Sequence, residues 1–275
     1  MRFQHILELV YCRPWLITEA GHAAIRALLD THLAESFPRE GEDWWTGKAE
    51  KLPGLEIDDG VAMIPVQGVI GQKLSRIEKS CGACDVGDVS RELALASSRP
   101  DVRGIVLDFD TPGGMVTGTP ELAEEIRAAS LAGGGKPVFA FTDNQVASAG
   151  YWLASAADQV YTTRTAEVGS IGVYMPWRDT SQAHANAGVK VDLIKAGRYK
   201  GMGYPGTSLT QDQRELLQDQ VNGIYAMFTG HVQAMRGDVS KETMQGQMFM
   251  ASAAKARNLI DGIVKDRATV VRMLR

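Results

Sequence analysis

A chain of 275 residues, 44% hydrophobic and 23% charged, has the balance of a globular protein long enough for one large core with appendages. Its net charge of −4 gives no reason to expect a nucleic-acid partner. No stretch reaches the 18 or so uninterrupted apolar residues of a membrane span, and an N-terminus with Glu8 inside its apolar part does not read as a signal peptide, so a cytoplasmic location is expected.

Residues 1–35 read as helical, with Thr18 as an N-cap and Ile25, Leu28, Leu29 and Leu33 at helical spacing. From Ser36 to Asp59 the chain turns to Pro, Gly, acidic residues and the pair Trp44–Trp45, which suits a linker or arm. This divides the chain into a helical N-terminal segment with its arm, 1–58, and a main domain, 59–275. Gly60 to Ile70 reads as a buried strand, 72–85 as a loop, and Asp85 to Ser97 as a helix stopped by Pro100. Arg103 to Phe109 is a strong strand that ends in Asp110-Thr111-Pro112-Gly113-Gly114. Thr119 then caps a helix with Pro120 at its first position, ended by Gly133-Gly134-Gly135. The strand 137–142 leads into a turn at Ser148 and a further helix. Beyond it come Gln159 to Tyr161, the segment 167–173, a short helix near 178–187, and a strand from Val189 to Ile194. Thr210 to Gln213 is a capping box opening a long helix with the apolar stripe Leu216, Leu217, Val221, Ile224, Phe228, Val232 and Met235. A last helix over 250–258 precedes Leu259 to Val264 and a basic tail. Strands alternating with helices predict an α/β domain of parallel strands, whose ligands bind beyond the carboxyl ends. The Gly113 and Ser148 turns both fall there.

Three cysteines make no disulfide framework, and Cys81 and Cys84, a C-x-x-C without a second pair or a nearby histidine, read as free thiols rather than a metal site. Ser148 at a strand-to-helix turn suits either an ordinary N-cap or a nucleophile among free helix N–H groups. As a nucleophile it needs a base. None of the five histidines adjoins a strand end in the α/β part, and Ser148 is not in a G-x-S-x-G elbow, so a Ser-His-Asp site is not expected. The alternative base is a lysine whose pKa is brought by burial from about 10.4 toward 7–8. Lys200 sits among glycines with no carboxylate within seven residues on either side, although most lysines are solvated surface charges. The Pro112-Gly113-Gly114 turn serves equally as a tight βα turn or as a source of N–H groups for an oxyanion, with Ala149 N–H as a second donor.

Taken in order, Ile105 to Gly114, Ala147 to Trp152, Val168 to Val173, Ala196 to Lys200 and Ala253 to Gly262 resemble the signal peptide peptidase A family of Ser-Lys peptidases. The organisation resembles that family's phage and prophage branch of capsid-assembly proteases. The resemblance covers about residues 58–265 and implies a crotonase/Clp-protease-like α/β fold with a parallel sheet and flanking helices, preceded here by the N-terminal helical arm. It implies Ser148 as nucleophile, Lys200 as general base, Gly114 and Ala149 as oxyanion donors, Ser170 as the hydroxyl that orients the lysine, and Gly113 and Met115 as substrate-binding residues. It further implies a serine endopeptidase without metal or cofactor, acting on peptide or protein segments such as phage head or scaffold proteins or signal-peptide remnants. The assembly it implies is a ring-like homo-oligomer, a tetramer or octamer. A transmembrane anchor, a tandem second copy and a scaffold-like extension, all known among relatives, are not found in this sequence. Two rival readings are a crotonase-fold acyl-CoA enzyme and a non-catalytic capsid-assembly protein on the same fold.

Overall fold

The computed structural model describes residues 10, 11, 13–34, 55–75, 78, 79 and 82–275. Trp44 and Trp45 of the expected arm, and Cys81, lie outside them. The strands are β1 (Trp15–Ile17), β2 (Glu56–Asp58), β3 (Val61–Gln67), β4 (Ile70–Gly71), β5 (Cys84–Asp85), β6 (Gly104–Asp110), β7 (Gly113–Met115), β8 (Val138–Thr142), β9 (Gln145–Ala147), β10 (Gln159–Thr162), β11 (Glu167–Gly169), β12 (Met248–Met250) and β13 (Gly262–Ile263). The helices are α1 (Glu19–Ala34), α2 (Val86–Ser98), α3 (Thr119–Ala129), α4 (Ala149–Ser155), α5 (Ser181–Asn186), α6 (Gln211–Arg236), α7 (Ala251–Lys255) and α8 (Arg267–Met273).

Two compact units divide the chain, Met1–Trp15 with Val173–Met227, and Leu16–Gly172 with Phe228–Arg275. The second holds a six-stranded sheet in the order β13-β10-β8-β6-β3-β2, parallel except for the antiparallel edge strand β2. This is the expected α/β fold with a parallel sheet and flanking helices. Both faces of such a sheet are covered, so its strands read as near-continuous apolar runs: Val61 to Ile64 and Ile105 to Leu107 are all buried. Helix α2, capped by Asp85 Oδ1 accepting from Gly87 N–H at 2.8 Å, buries Val86, Val89, Leu93 and Ala96. Every residue of α4 is buried although the helix contains Gly150 and has only two turns. Burial of one large apolar side chain contributes about 1.5–3 kcal/mol, which outweighs helix-propensity differences of about 1 kcal/mol. Two smaller sheets complete the topology, β1-β7-β4-β5 and β12-β11-β9. In the first unit α6 opens at Thr210, whose N–H donates to Gln213 Oε1 at 3.1 Å. Its hydroxyl turns to Asp212, so only half of the capping box forms. Among the described residues no helix is long and apolar enough to cross a membrane.

Four local expectations are corrected. Residues 189–194 form no strand, because no described strand lies beside them to complete a ladder, and Ile194 is fully exposed. The stretch 1–35 is not uniformly helical: Trp15–Ile17 is a strand, with α1 starting after Thr18, whose Oγ1 accepts from Gly21 N–H at 3.1 Å. The cap of α3 is Gly118 in the left-handed region (φ 86°), while the Thr119 hydroxyl donates back to Met115 O at 2.8 Å. The basic tail folds as α8, whose Val270 and Val271 join Val61, Met63, Val106 and Phe141 in one core cluster.

On α6, Phe228 and Val232 are fully buried, and Phe228 stacks on Trp152 with ring centroids 4.7 Å apart. His231 lies beside the same indole, and burial, with the charge of Arg127 as a smaller cause, lowers its pKa to about 4. Among the described residues its Nε2 has no hydrogen-bond partner. The unfolded chain takes up a proton on this imidazole near pH 6.5, the folded chain only near 4, so stability present above pH 6.5 is lost as pH falls through that window. Urea midpoints at pH 7 and 4.5 should therefore drop more for the unmodified protein than for His231→Phe; equal drops would contradict the assignment.

Candidate active site

The site-forming segments diverge where the central strands end. At the break between β3 and β4, a Cβ on Gly68 would lie 1.8 Å from the Gly82 carbonyl oxygen, and Gly68 itself has φ 77°, so only glycine fits. Gly68 N–H donates to Asp110 O at 2.8 Å. The next residue of that strand, Thr111, is fully buried and fastens three elements together. Its Oγ1 donates to Gly68 O at 2.6 Å and accepts from Gly113 N–H at 3.0 Å. Its backbone donates to Gln145 O and accepts from Ala147 N–H, both at 3.1 Å. Asn144 Nδ2 adds a bond to Asp110 Oδ1 at 2.9 Å. The Pro112-Gly113-Gly114 turn is thereby tied to β9, the strand that delivers Ser148. Sequence reasoning did not single out Thr111 or Asn144; both were legible only as neighbours of the turns.

Gly113 has φ 103°, and a Cβ there would lie 2.2 Å from Leu16 O and 2.9 Å from Ser148 Cβ. A Cβ on Gly114 would overlap the carbonyl of Ile70, its partner in β4, at 2.0 Å. Met115, half-buried, ends β7. Ser148 occupies the N-cap position of α4 but makes no capping bond, and among the described residues its buried Oγ has no hydrogen-bond partner. Its backbone, φ 52° and ψ −115°, is a strained conformation for a side-chain-bearing residue, costing about 1–3 kcal/mol. A strand, a residue in such a turn and a helix together make an elbow that pushes the side chain off the backbone. The G-x-S-x-G pattern is absent, so the elbow was not legible from spacing; small Ala147, Ala149 and Gly150 around Ser148 were its only signal.

Strands β9 and β11 pair in parallel with Ala147 opposite Gly169, and Ser148 N–H donates to Gly169 O at 2.8 Å. Ser148 and Ser170 thus follow directly on paired residues. Ser170 also has positive φ, 52°, is nearly buried, and donates its N–H to Gln247 O at 2.7 Å. Ala149 begins α4, where first-turn N–H groups have no intrahelical partner. Gly113, Gly114, Met115, Ser148, Ala149 and Ser170 accordingly gather in one compact unit. Lys200 belongs to the other. There it is exposed on a turn, its N–H donating to Gly197 O at 3.1 Å.

The Ser148 hydroxyl is buried beside a glycine turn and at the start of a helix, where first-turn N–H groups lack intrahelical partners. Burial pushes the thiol of Cys84, a free cysteine, up to about 12, away from thiolate chemistry. Among the described residues no group of three or more His, Cys, Asp or Glu side chains is placed to hold a metal ion.

The model of peptidase family S49 matches residues 131–274, a span containing Ser148, Ser170 and Lys200. Capsid assembly protease C of Escherichia phage lambda is 32% identical over 281 residues, covering 97% of this chain and 62% of that protein. Serine protease SPPA, chloroplastic, of Arabidopsis thaliana is 23% identical over 209 residues, covering 74% of this chain and 30% of that protein. The chain thus spans less than two thirds of either relative's length. Among solved structures, a ClpP1 mutant from Listeria monocytogenes superimposes with a TM-score of 0.49 at 16% identity, over 75% of this chain and 92% of that one. With more than half its residues matched by the family model, and with the phage lambda protein aligned along nearly all of it, the chain belongs to peptidase family S49.

Proposed function

We propose that this chain is a serine endopeptidase with a Ser148–Lys200 dyad, its peptidase domain spanning 59–275. The observation that carries the reading is the strained elbow at Ser148, whose buried hydroxyl neither caps its helix nor bonds to any of the described residues. The neutral amine of Lys200 removes the Ser148 proton as Oγ adds to the peptide carbonyl. The developing oxyanion is held by the N–H groups of Gly114 and Ala149, and Ser170 orients the amine. The protonated lysine gives its proton to the leaving amine, the C–N bond breaks, and water repeats the sequence on the acyl ester. Gly113 and Met115 border the substrate. No step of this chemistry calls for a metal or cofactor.

A lysine base must be shielded from water, whereas Lys200 is exposed in the single chain. Around it Val189, Ile194, Tyr199 and Tyr204 are exposed as well, a large apolar surface for one short segment. A ring-like homo-oligomer, tetramer or octamer, in which a second copy covers this segment and takes Lys200 into its own site, accounts for both observations. Such a ring admits extended or unfolded segments. The capsid-assembly name of the lambda relative supports phage head or scaffold proteins as their source.

Ser148→Ala and Lys200→Ala should each lower the cleavage of unfolded casein by at least about a thousandfold, with unchanged far-ultraviolet circular dichroism. Cleavage retained in either variant would rule out the dyad. If the dyad is completed between copies, equal mixing of the two inactive variants, refolded together, should recover about a quarter of normal activity, the fraction of sites that pair an intact serine with an intact lysine. No recovery would assign both residues to one copy.

A further inference from the structure

The outer edge of β7 is filled by the chain itself. In the sheet β1-β7-β4-β5, removal of β1 would leave β7, the strand of Gly113 and Gly114, as an edge of unpaired N–H and C=O groups. An edge of that kind takes up an extended peptide by adding it as a strand. The present occupant, Trp15–Ile17, has no solvent-facing side chain: its residues are 3%, 0% and 3% exposed.

Leu16, Ile17 and Thr18 belong to the same compact unit as Ser148. The position of a Cβ on Gly113 is 2.2 Å from Leu16 O, 3.0 Å from Ile17 Cα and 2.9 Å from Ser148 Cβ. The Leu16–Ile17 peptide therefore passes across Gly113 on the side where Ser148 stands. Thr18 N–H donates to Pro112 O at 2.9 Å, which pins the strand's end to the same turn. The Leu16 carbonyl thus takes space beside the nucleophile that an acyl group would need, while the Ser148 Oγ gains no hydrogen bond from it.

We propose that the chain's own Leu16–Thr18 stretch, by holding the outer edge of β7 beside Ser148, acts as a built-in competitor of any extended peptide that would pair with that edge. Peptides then bind only in competition with β1. The chemistry that follows binding rests on the peptidase reading above; the occupancy does not.

The test uses the full chain with Ser148→Ala, so that binding is read without cleavage. The probe is a fluorescent peptide of residues 13–18, Arg-Pro-Trp-Leu-Ile-Thr, followed by anisotropy. Adding Leu16→Glu places a carboxylate where no water reaches and should release β1, tightening probe binding at least about tenfold, because an intramolecular occupant lowers apparent affinity by the fraction of sites it fills. Equal binding with and without Leu16→Glu, or none to either, would overturn the proposal. Should Leu16→Glu fail to fold, hydrogen exchange on the Ser148→Ala chain decides instead. Excess unlabelled peptide should speed exchange at the Leu16 and Ile17 amides and leave β6 unchanged, and unaltered exchange would overturn it. If Ser148→Ala cleaves casein like the unmodified chain, the peptidase reading falls, while the binding result still decides the occupancy.

Discussion

Thr111 is the residue on which the geometry of the site depends. One side chain and one peptide unit bind the break in β3, the Gly113 turn and the strand leading to Ser148, all from a fully buried position. Each bond has a net worth of about 1 kcal/mol, yet a buried group left without its partner costs about 1–3 kcal/mol, so these bonds are kept or lost together. The same packing accounts for Gly150 in α4, where a Cβ would meet Thr111 Cγ2 at 2.3 Å. A glycine turn and a serine elbow far apart in sequence are thereby held in register by the hydroxyl and the backbone of one buried residue.

That rigidity sustains two strained residues. Ser148 and Ser170 both adopt positive φ at the ends of paired strands, where glycine would be the easy choice. Strain of about 1–3 kcal/mol at each persists only where the surroundings over-determine it. Here the buried helix α4, the Ser148–Gly169 bond and the Ser170–Gln247 bond do so. The fold thus fixes the place of the Ser148 hydroxyl close to the glycine turn, whatever binds there.

Much of this was legible in the residues. Long apolar runs announced β3, β6 and β8, and their alternation with helices announced a parallel sheet. Asp85 and Thr18 announced helix starts, and the succession of Thr-Pro-Gly-Gly and the small residues around Ser148 marked the two turns of the site. What escaped was set by contacts distant in sequence. Three residues of β1 are too few for any periodicity, and their strand state comes from β7 almost a hundred residues later. The alternation of 189–194 suggested a strand that finds no partner. Thr119 offered a capping side chain, but a left-handed Gly118 ends the preceding turn instead. The elbow at Ser148 followed no familiar spacing, because its conformation is imposed by Thr111 and Gly169 rather than by flanking glycines.

The central claim is that Ser148 becomes covalently acylated. Incubation with an activated peptide ester, an acid quench, and mass spectrometry of the digested protein test this directly. The account predicts an acyl adduct on the peptide containing Ser148, absent from Ser148→Ala. An adduct on any other residue, or turnover of the ester with no adduct at Ser148, would contradict it.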